Sequence, residues 1–201
     1  MDVLVENKDR VNQLINAFIP QIQQLHKEPD FMKHLHQDID EIIERSGLNN
    51  QTSCAGAGCS SCCHSVIYGS QFEMDYIASE VAKRNIQPNK ERAAKLNSIT
   101  DEHGKNLKWM EKACPYLSDD EVRSCTIYDI RPIICRSHNS VDELSPAKCN
   151  KEGDNGYEIM NVNIKEGTIL EVHAMSMALI AGTAKNESEI RLVGLHTTVP
   201  L

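Results

Sequence analysis

The stretch Phe31-Met32-Lys33-His34-Leu35-His36-Gln37-Asp38-Ile39-Asp40-Glu41-Ile42-Ile43 reads as one amphipathic helix. Its apolar residues, Phe31, Met32, Leu35, Ile39, Ile42 and Ile43, recur at helical spacing and so share one face. Ahead of Pro29, a second stripe of the same kind runs through Val11, Leu14, Ile15, Phe18, Ile22 and Leu25. Pro20 lies inside it and is predicted to kink or split that helix, because its ring removes an amide donor and crowds the preceding turn. Gly47-Leu48-Asn49-Asn50 supplies a stop and a linker. Residues 1–50 are therefore expected to form an N-terminal helical hairpin. Its stripes would pack on the rest of the chain or on another copy. Binding of a protein partner, or self-association through these helices, is the functional alternative. His26, His34 and His36 do not converge by spacing and are expected at the surface.

Working outward, another helix is expected from about Phe72 to Arg84, with Met74, Ile77, Ala78, Val81 and Ala82 facing inward and Pro88 ending the segment. A long charged helix is expected from about Asn89 to Lys112. Its stripe of Ala93, Leu96, Ile99, Leu107 and Met110 is thin, Gly104 could bend it, and Trp109 belongs to the core. A last helix is expected from about Ile169 to Ile180, and Ile159 to Ile164 has some strand character. The chain thus reads as mainly α. A helical arm (1–50) packs with a cysteine-rich, loop-containing metal-binding domain (51–152), and a C-terminal tail (153–201) carries one helix.

Composition narrows the function. The 201 residues hold 29 acidic and 21 basic side chains, a formal charge of −8. A broad nucleic-acid-binding face needs clustered positive charge and is not expected. No apolar run is long enough to span a membrane. The start, Met1-Asp2-Val3-Leu4-Val5-Glu6-Asn7-Lys8, lacks a basic region followed by an apolar stretch, so no secretory signal is expected. The expected compartment is the cytoplasm, where clustered cysteines bind metal or do redox chemistry more often than they form disulfides.

All eight cysteines fall in the middle of the chain. The first cluster is Cys54-Ala55-Gly56-Ala57-Gly58-Cys59-Ser60-Ser61-Cys62-Cys63. A C-x2-C spacing turns two thiolates toward one ion, and the small residues leave backbone amides able to bond sulfur. Four thiolates satisfy Zn²⁺, and iron–sulfur clusters use the same ligand type. Vicinal Cys62 and Cys63 could serve two metals, or one could stay off the metal. The second cluster is Cys114, Cys125, Cys135 and Cys149, separated by 10, 9 and 13 residues. No common zinc-finger spacing matches, so the metal stays open between zinc and an iron–sulfur cluster. Arg131 and Arg136 flank Cys135. They could bond sulfurs and offset thiolate charge, or make ordinary carboxylate pairs. Pro132 is expected to hold Arg131 extended.

These residues resemble the YkgJ-type CxxCxxCC family of zinc- or iron-chelating domains. The likeness is carried by Cys59-Ser60-Ser61-Cys62-Cys63 and by Cys114-Pro115-Tyr116-Leu117. It continues in Cys125-Thr126-Ile127-Tyr128-Asp129-Ile130-Arg131-Pro132-Ile133-Ile134-Cys135-Arg136, similar to the family's C-x-I-Y-x-x-R-P-x-x-C-R signature. Asn139-Ser140 leading to Cys149 is similar to its trailing cysteine, and Glu73 with the helix after it also looks like the family's. The four residues between Cys54 and Cys59 exceed the family's usual gap. The resemblance implies chelation and names no reaction. Some longer relatives are protein methylases that use S-adenosylmethionine and look iron–sulfur dependent.

His64 adjoins Cys63 and His138 lies three residues after Cys135; either could replace a thiolate, but both read more simply as loop histidines. His103, His173 and His196 have no cysteine near them in sequence. Asp119-Asp120-Glu121 reads as a helix-start region, where negative charge is favourable. The first expectation for function is a protein chelating zinc or an iron–sulfur cluster. The alternatives are an iron–sulfur-dependent, protein-modifying enzyme and a disulfide-stapled interaction module. The ligand candidates are Cys54, Cys59, Cys62, Cys63, Cys114, Cys125, Cys135 and Cys149.

Overall fold

The computed structural model describes residues 6–46, 61–64, 66–99, 112–120, 124–136, 166–185, 190 and 192–200. Among them are six α-helices and one two-stranded antiparallel pair. The mainly α class expected from the stripes is what forms.

Helix α1 (Lys8–Leu25) runs through Pro20 without splitting. Pro20 is exposed, so its ring meets solvent, and packing elsewhere along the helix outweighs the one lost amide. Helix α2 (Phe31–Arg45) buries all six residues of its stripe. Both pack within the chain. They meet the C-terminal helix α6 (Glu166–Thr183), along which α1 chiefly lies. Ile22, Phe31, Met32, Leu35, Ile39, Ile42 and Ile43 form one cluster with Val172, Met175, Ala178 and Leu179. Gly182 permits the close approach of α1 and α6, since a Cβ there would lie 2.9 Å from Ile22 Cγ2. Leu25, the last residue of the first stripe, is an exception and is 45% exposed.

Helix α3 (Gln71–Lys83) begins where the Ser70 hydroxyl accepts the Glu73 amide at 3.0 Å, a side-chain N-cap. Met74, Ile77 and Val81 are buried as expected. Ala78 is only half-buried and Ala82 is exposed, so the inward face is narrower than the sequence suggested. Helix α4 (Lys90–Asn97) starts at Asn89, whose side chain accepts the Arg92 amide at 3.0 Å. The expectation of one helix reaching Lys112 fails here, because α4 stops at Asn97. Ser98 closes it by donating both its amide (3.1 Å) and its hydroxyl (2.7 Å) to the Lys95 carbonyl. The following Ile99-Thr100 is β-branched and does not favour continuation. Gly104, Leu107, Trp109 and Met110 lie outside the described residues, as do 47–50 and the expected strand at 159–164.

Strands β1 (Tyr68–Gly69) and β2 (Val193–Gly194) pair antiparallel with Tyr68 opposite Gly194. Helix α5 (Ile133–Arg136) is a single turn. A second core joins Met74, Ile77 and Val81 of α3 to Tyr116, Leu117, Ile127, Ile130, Leu195 and Val199. Helix α3 lies between the two cores, because its Phe72 and Tyr76 pack against the first. Among the described residues, no helix is long and apolar enough to cross a membrane.

Candidate metal centre

The side chains of Cys63, Cys114, Cys125 and Cys135 are described. For Cys62 only the backbone is, in the 3-10 turn Ser61–His64, and Cys54, Cys59 and Cys149 lie outside the described residues. Cys63 of the first cluster and Cys114 of the second meet through the backbone, where the Cys114 amide donates to the Cys63 carbonyl at 2.6 Å. The Cys114-Pro115-Tyr116-Leu117 segment then turns sharply. The Leu117 amide returns to the Cys114 carbonyl at 3.2 Å, and the Tyr116 amide donates to Cys114 Sγ at 3.5 Å. An amide aimed at sulfur favours the thiolate over the thiol.

Cys125 comes back against this turn through an antiparallel bridge to Leu117. The Thr126 amide and hydroxyl both donate to the Tyr116 carbonyl at 2.9 Å. The Ser118 amide donates to the Ser124 carbonyl at 2.9 Å, and the Ser124 amide to Ser118 Oγ at 2.8 Å. Tyr116 is 1% exposed and anchors the unit, with its hydroxyl 2.6 Å from Thr198 Oγ1. Burial raises its pKa, and Cys114 adds to the rise. From outside, Arg92 donates to the Leu117 carbonyl at 2.6 Å and pairs with Asp119. The Asn89 amide holds the Pro115 carbonyl at 2.8 Å. Cys63, Cys114 and Cys125, from three separate segments, thus border one apolar core. Asp119, expected at a helix start, is used by Arg92 and by Asn89 Nδ2 at 3.2 Å.

Cys135 lies on α5, which packs against α2, β1 and α6. Arg131 is extended, with φ −59 and ψ 149, as Pro132 demands. The Pro132 carbonyl then accepts the amides of Cys135 (2.9 Å) and Arg136 (3.1 Å) and closes the turn. Glu73 Oε1, from α3, accepts the Ile133 amide at 2.8 Å and His36 Nε2 at 3.2 Å. Ser70 and Glu73 have the spacing of a capping box, in which Glu would reach back to its own helix start. Here the Glu73 carboxylate instead holds the first residue of α5. Gly69 makes room for it, because a Cβ there would sit 2.5 Å from Glu73 Oε2.

Arg136 makes a carboxylate pair, one of the two roles expected for it. Its Nε donates to the Arg131 carbonyl at 3.0 Å, Nη1 pairs with Asp40 of α2, and Nη2 reaches the Asp129 carbonyl and, at 3.1 Å, His36 Nδ1. Among the described residues, Arg131 meets neither of its expected partners. Its guanidinium stacks 3.9 Å from the Tyr128 ring centre and donates to the Tyr128 carbonyl.

His36, expected at the surface, is 3% exposed, beside Glu73 at 1% and Arg136 at 2%. Since a guanidinium only donates, His36 Nδ1 accepts and Nε2–H donates to Glu73, which fixes the neutral tautomer. Burial pulls the His36 pKa down and nearby Arg136 adds to this, against the opposing pull of Glu73 and Asp40. The missed signal was positional: His36 sits between Met32, Ile39 and Ile43 at helical spacing. His34 is exposed and His26 half-buried. His64, expected on a loop, is 1% exposed in the 3-10 turn, and His196 is buried with a pKa lowered by that burial. His103 and His138 lie outside the described residues.

Among the described residues, no three His, Cys, Asp or Glu side chains gather closely enough to enclose a metal ion. The donor type nevertheless fits zinc or iron: the thiols belong to cysteines brought from distant segments, and one accepts an amide bond at its sulfur. Neither a curated protein nor a solved structure matches the chain. A family model does, over residues 53–161, and its description is "Putative zinc- or iron-chelating domain". That span covers more than half of the 201 residues and contains every cysteine but none of the arm. The chain belongs to this zinc- or iron-chelating CxxCxxCC family.

Proposed function

We propose that the chain holds zinc or an iron–sulfur cluster through Cys54, Cys59, Cys62, Cys63, Cys114, Cys125, Cys135 and Cys149. The observation that carries the reading is the bond from the Cys114 amide to the Cys63 carbonyl, at 2.6 Å. It joins one cysteine of the first cluster to one of the second across fifty intervening residues. The Leu117–Cys125 bridge adds a third cysteine to the same edge. Residues 51–152 would form the metal-binding unit, with the arm (1–50) and the tail (153–201) building the core beside it. The function is binding of the metal, and part of the metal's role is structural. Thiolate–metal bonds would cross-link described elements too short to stand alone, such as the four-residue helix that carries Cys135.

The test is elemental and sulfide analysis, with an absorption spectrum, on protein purified without air. Zinc, or iron with acid-labile sulfide, in a fixed ratio to the chain supports the reading. Protein that is folded, has reduced thiols and binds neither on reconstitution contradicts it. Visible colour with sulfide selects the iron–sulfur form, and colourless stoichiometric zinc selects the other.

A further inference from the structure

We infer that His36, on the arm, is a positioning residue for Cys135, so that the arm is a working part of the metal centre. The inference rests on the ligand role proposed above for Cys135. Helix α5 has four residues, far too few to be stable by itself. Both of its ends are gripped from other segments. At the first residue, the Ile133 amide is held by Glu73 Oε1 at 2.8 Å. At the last, Arg136 is held by Asp40 and by His36.

Both grips meet in one imidazole. His36 Nε2 donates to Glu73 at 3.2 Å while Nδ1 accepts from Arg136 at 3.1 Å. Ile133, Glu73, His36 and Arg136 therefore form a closed loop of hydrogen bonds, and Cys135 stands on the backbone between its two ends. An apolar side chain could fill the volume of His36 but could not join the ends. Asp40 lies one turn along α2 from His36, so two successive turns of the arm hold Arg136. All three linked side chains are almost wholly buried, where a partly broken network costs more than none. A ligand must stand within about 0.5 Å of its working position. Loss of the groups that orient a ligand typically weakens metal affinity about 10- to 100-fold.

The experiment loads the full chain with Co²⁺, whose absorption bands report the number and geometry of thiolate ligands. Affinity is read by competition with a chelator. In His36→Ala, Co²⁺ affinity is expected to fall about 10- to 100-fold, with bands shifted toward those of Cys135→Ser. His36→Gln, which keeps a donor toward Glu73, recovers part of the loss. Ile39→Ala, on the same helix, lowers the melting temperature and leaves the bands unchanged. Should His36→Ala not fold, Asp40→Asn carries the test, because that side chain is 47% exposed. Its shift is in the same direction and smaller. Wild-type bands and affinity in the folded His36 and Asp40 variants, beside a lowered melting temperature, overturn the inference and leave the chelation reading standing. Absence of thiolate bands in the wild-type chain overturns both.

Discussion

Arg136 Nη2 lies 3.1 Å from His36 Nδ1, joining residues one hundred positions apart. Arg136 closes the R-P-x-x-C-R motif of the cysteine domain, whereas His36 belongs to the arm that the family match leaves out. The contact joins the part of the chain that the family model matches to a part that lies outside the match. It also fixes the protonation of His36, because an acceptor nitrogen facing a guanidinium cannot carry a proton.

A pH dependence follows. His36 and His196 both have pKa values lowered from 6.5 in the fold, by burial first. The unfolded chain therefore binds protons that the folded chain refuses. Their contribution to stability is fully present above about pH 6.5 and is lost as pH falls toward the folded values. Each contributes a slope of up to about 1.4 kcal/mol per pH unit in that window. Urea unfolding of wild type and His36→Gln, followed downward from neutral pH, should show a shallower slope in the variant. Equal slopes would remove His36 from this account.

Glu73→Ala removes the acceptor of two buried donors, the Ile133 amide and His36 Nε2. Each buried group left without a partner costs about 1–3 kcal/mol. Chemical denaturation should show a loss of that order or larger. A loss below about 0.5 kcal/mol, the scale of ordinary surface changes, would mean that the cluster is not formed.

Gly69→Ala tests the same carboxylate from the opposite side. The added methyl would meet Glu73 Oε2 and Met74 Cε, each at 2.5 Å. Met74 is flexible and can yield, but Glu73 is held by its two donors. The expected cost is about 1–3 kcal/mol, accompanied by a weaker grip on α5. In a double-mutant cycle with Glu73→Ala, the two losses should be strongly non-additive. Simple additivity would place the strain elsewhere.

Removing the metal should lower both stability and helicity. Helix α5 and the Cys114–Leu117 turn are short and carry the proposed ligands Cys135 and Cys114, so loss of thiolate cross-links should loosen them first. Far-ultraviolet circular dichroism and thermal melting before and after complete chelation measure this. Identical curves would contradict a structural role for the metal.

The sequence made much of the fold legible where information is local. The stripe from Phe31 to Ile43 predicted α2 and its buried face, and Pro132 predicted the extended Arg131. Leu25, Ala82 and the early end of α4 at Asn97 were misread because they lie where a periodic pattern runs out and capping decides. The candidate site was legible as a set of residue types and hidden as a geometry. Nothing in the spacing of the cysteines says that the Cys114 amide meets the Cys63 carbonyl, since that contact depends on the Tyr116 core. His36 was hidden for a similar reason: histidine in an apolar stripe has meaning only once Glu73 and Arg136 arrive from other segments.

The central claim is that thiolates hold the metal, and X-ray absorption at the zinc or iron edge of the purified protein addresses it most directly. The account predicts a first shell dominated by sulfur, at about 2.3 Å for zinc, with sulfur scatterers lost in Cys135→Ser. A first shell of nitrogen and oxygen at about 2.0–2.2 Å, unchanged by that substitution, would contradict it.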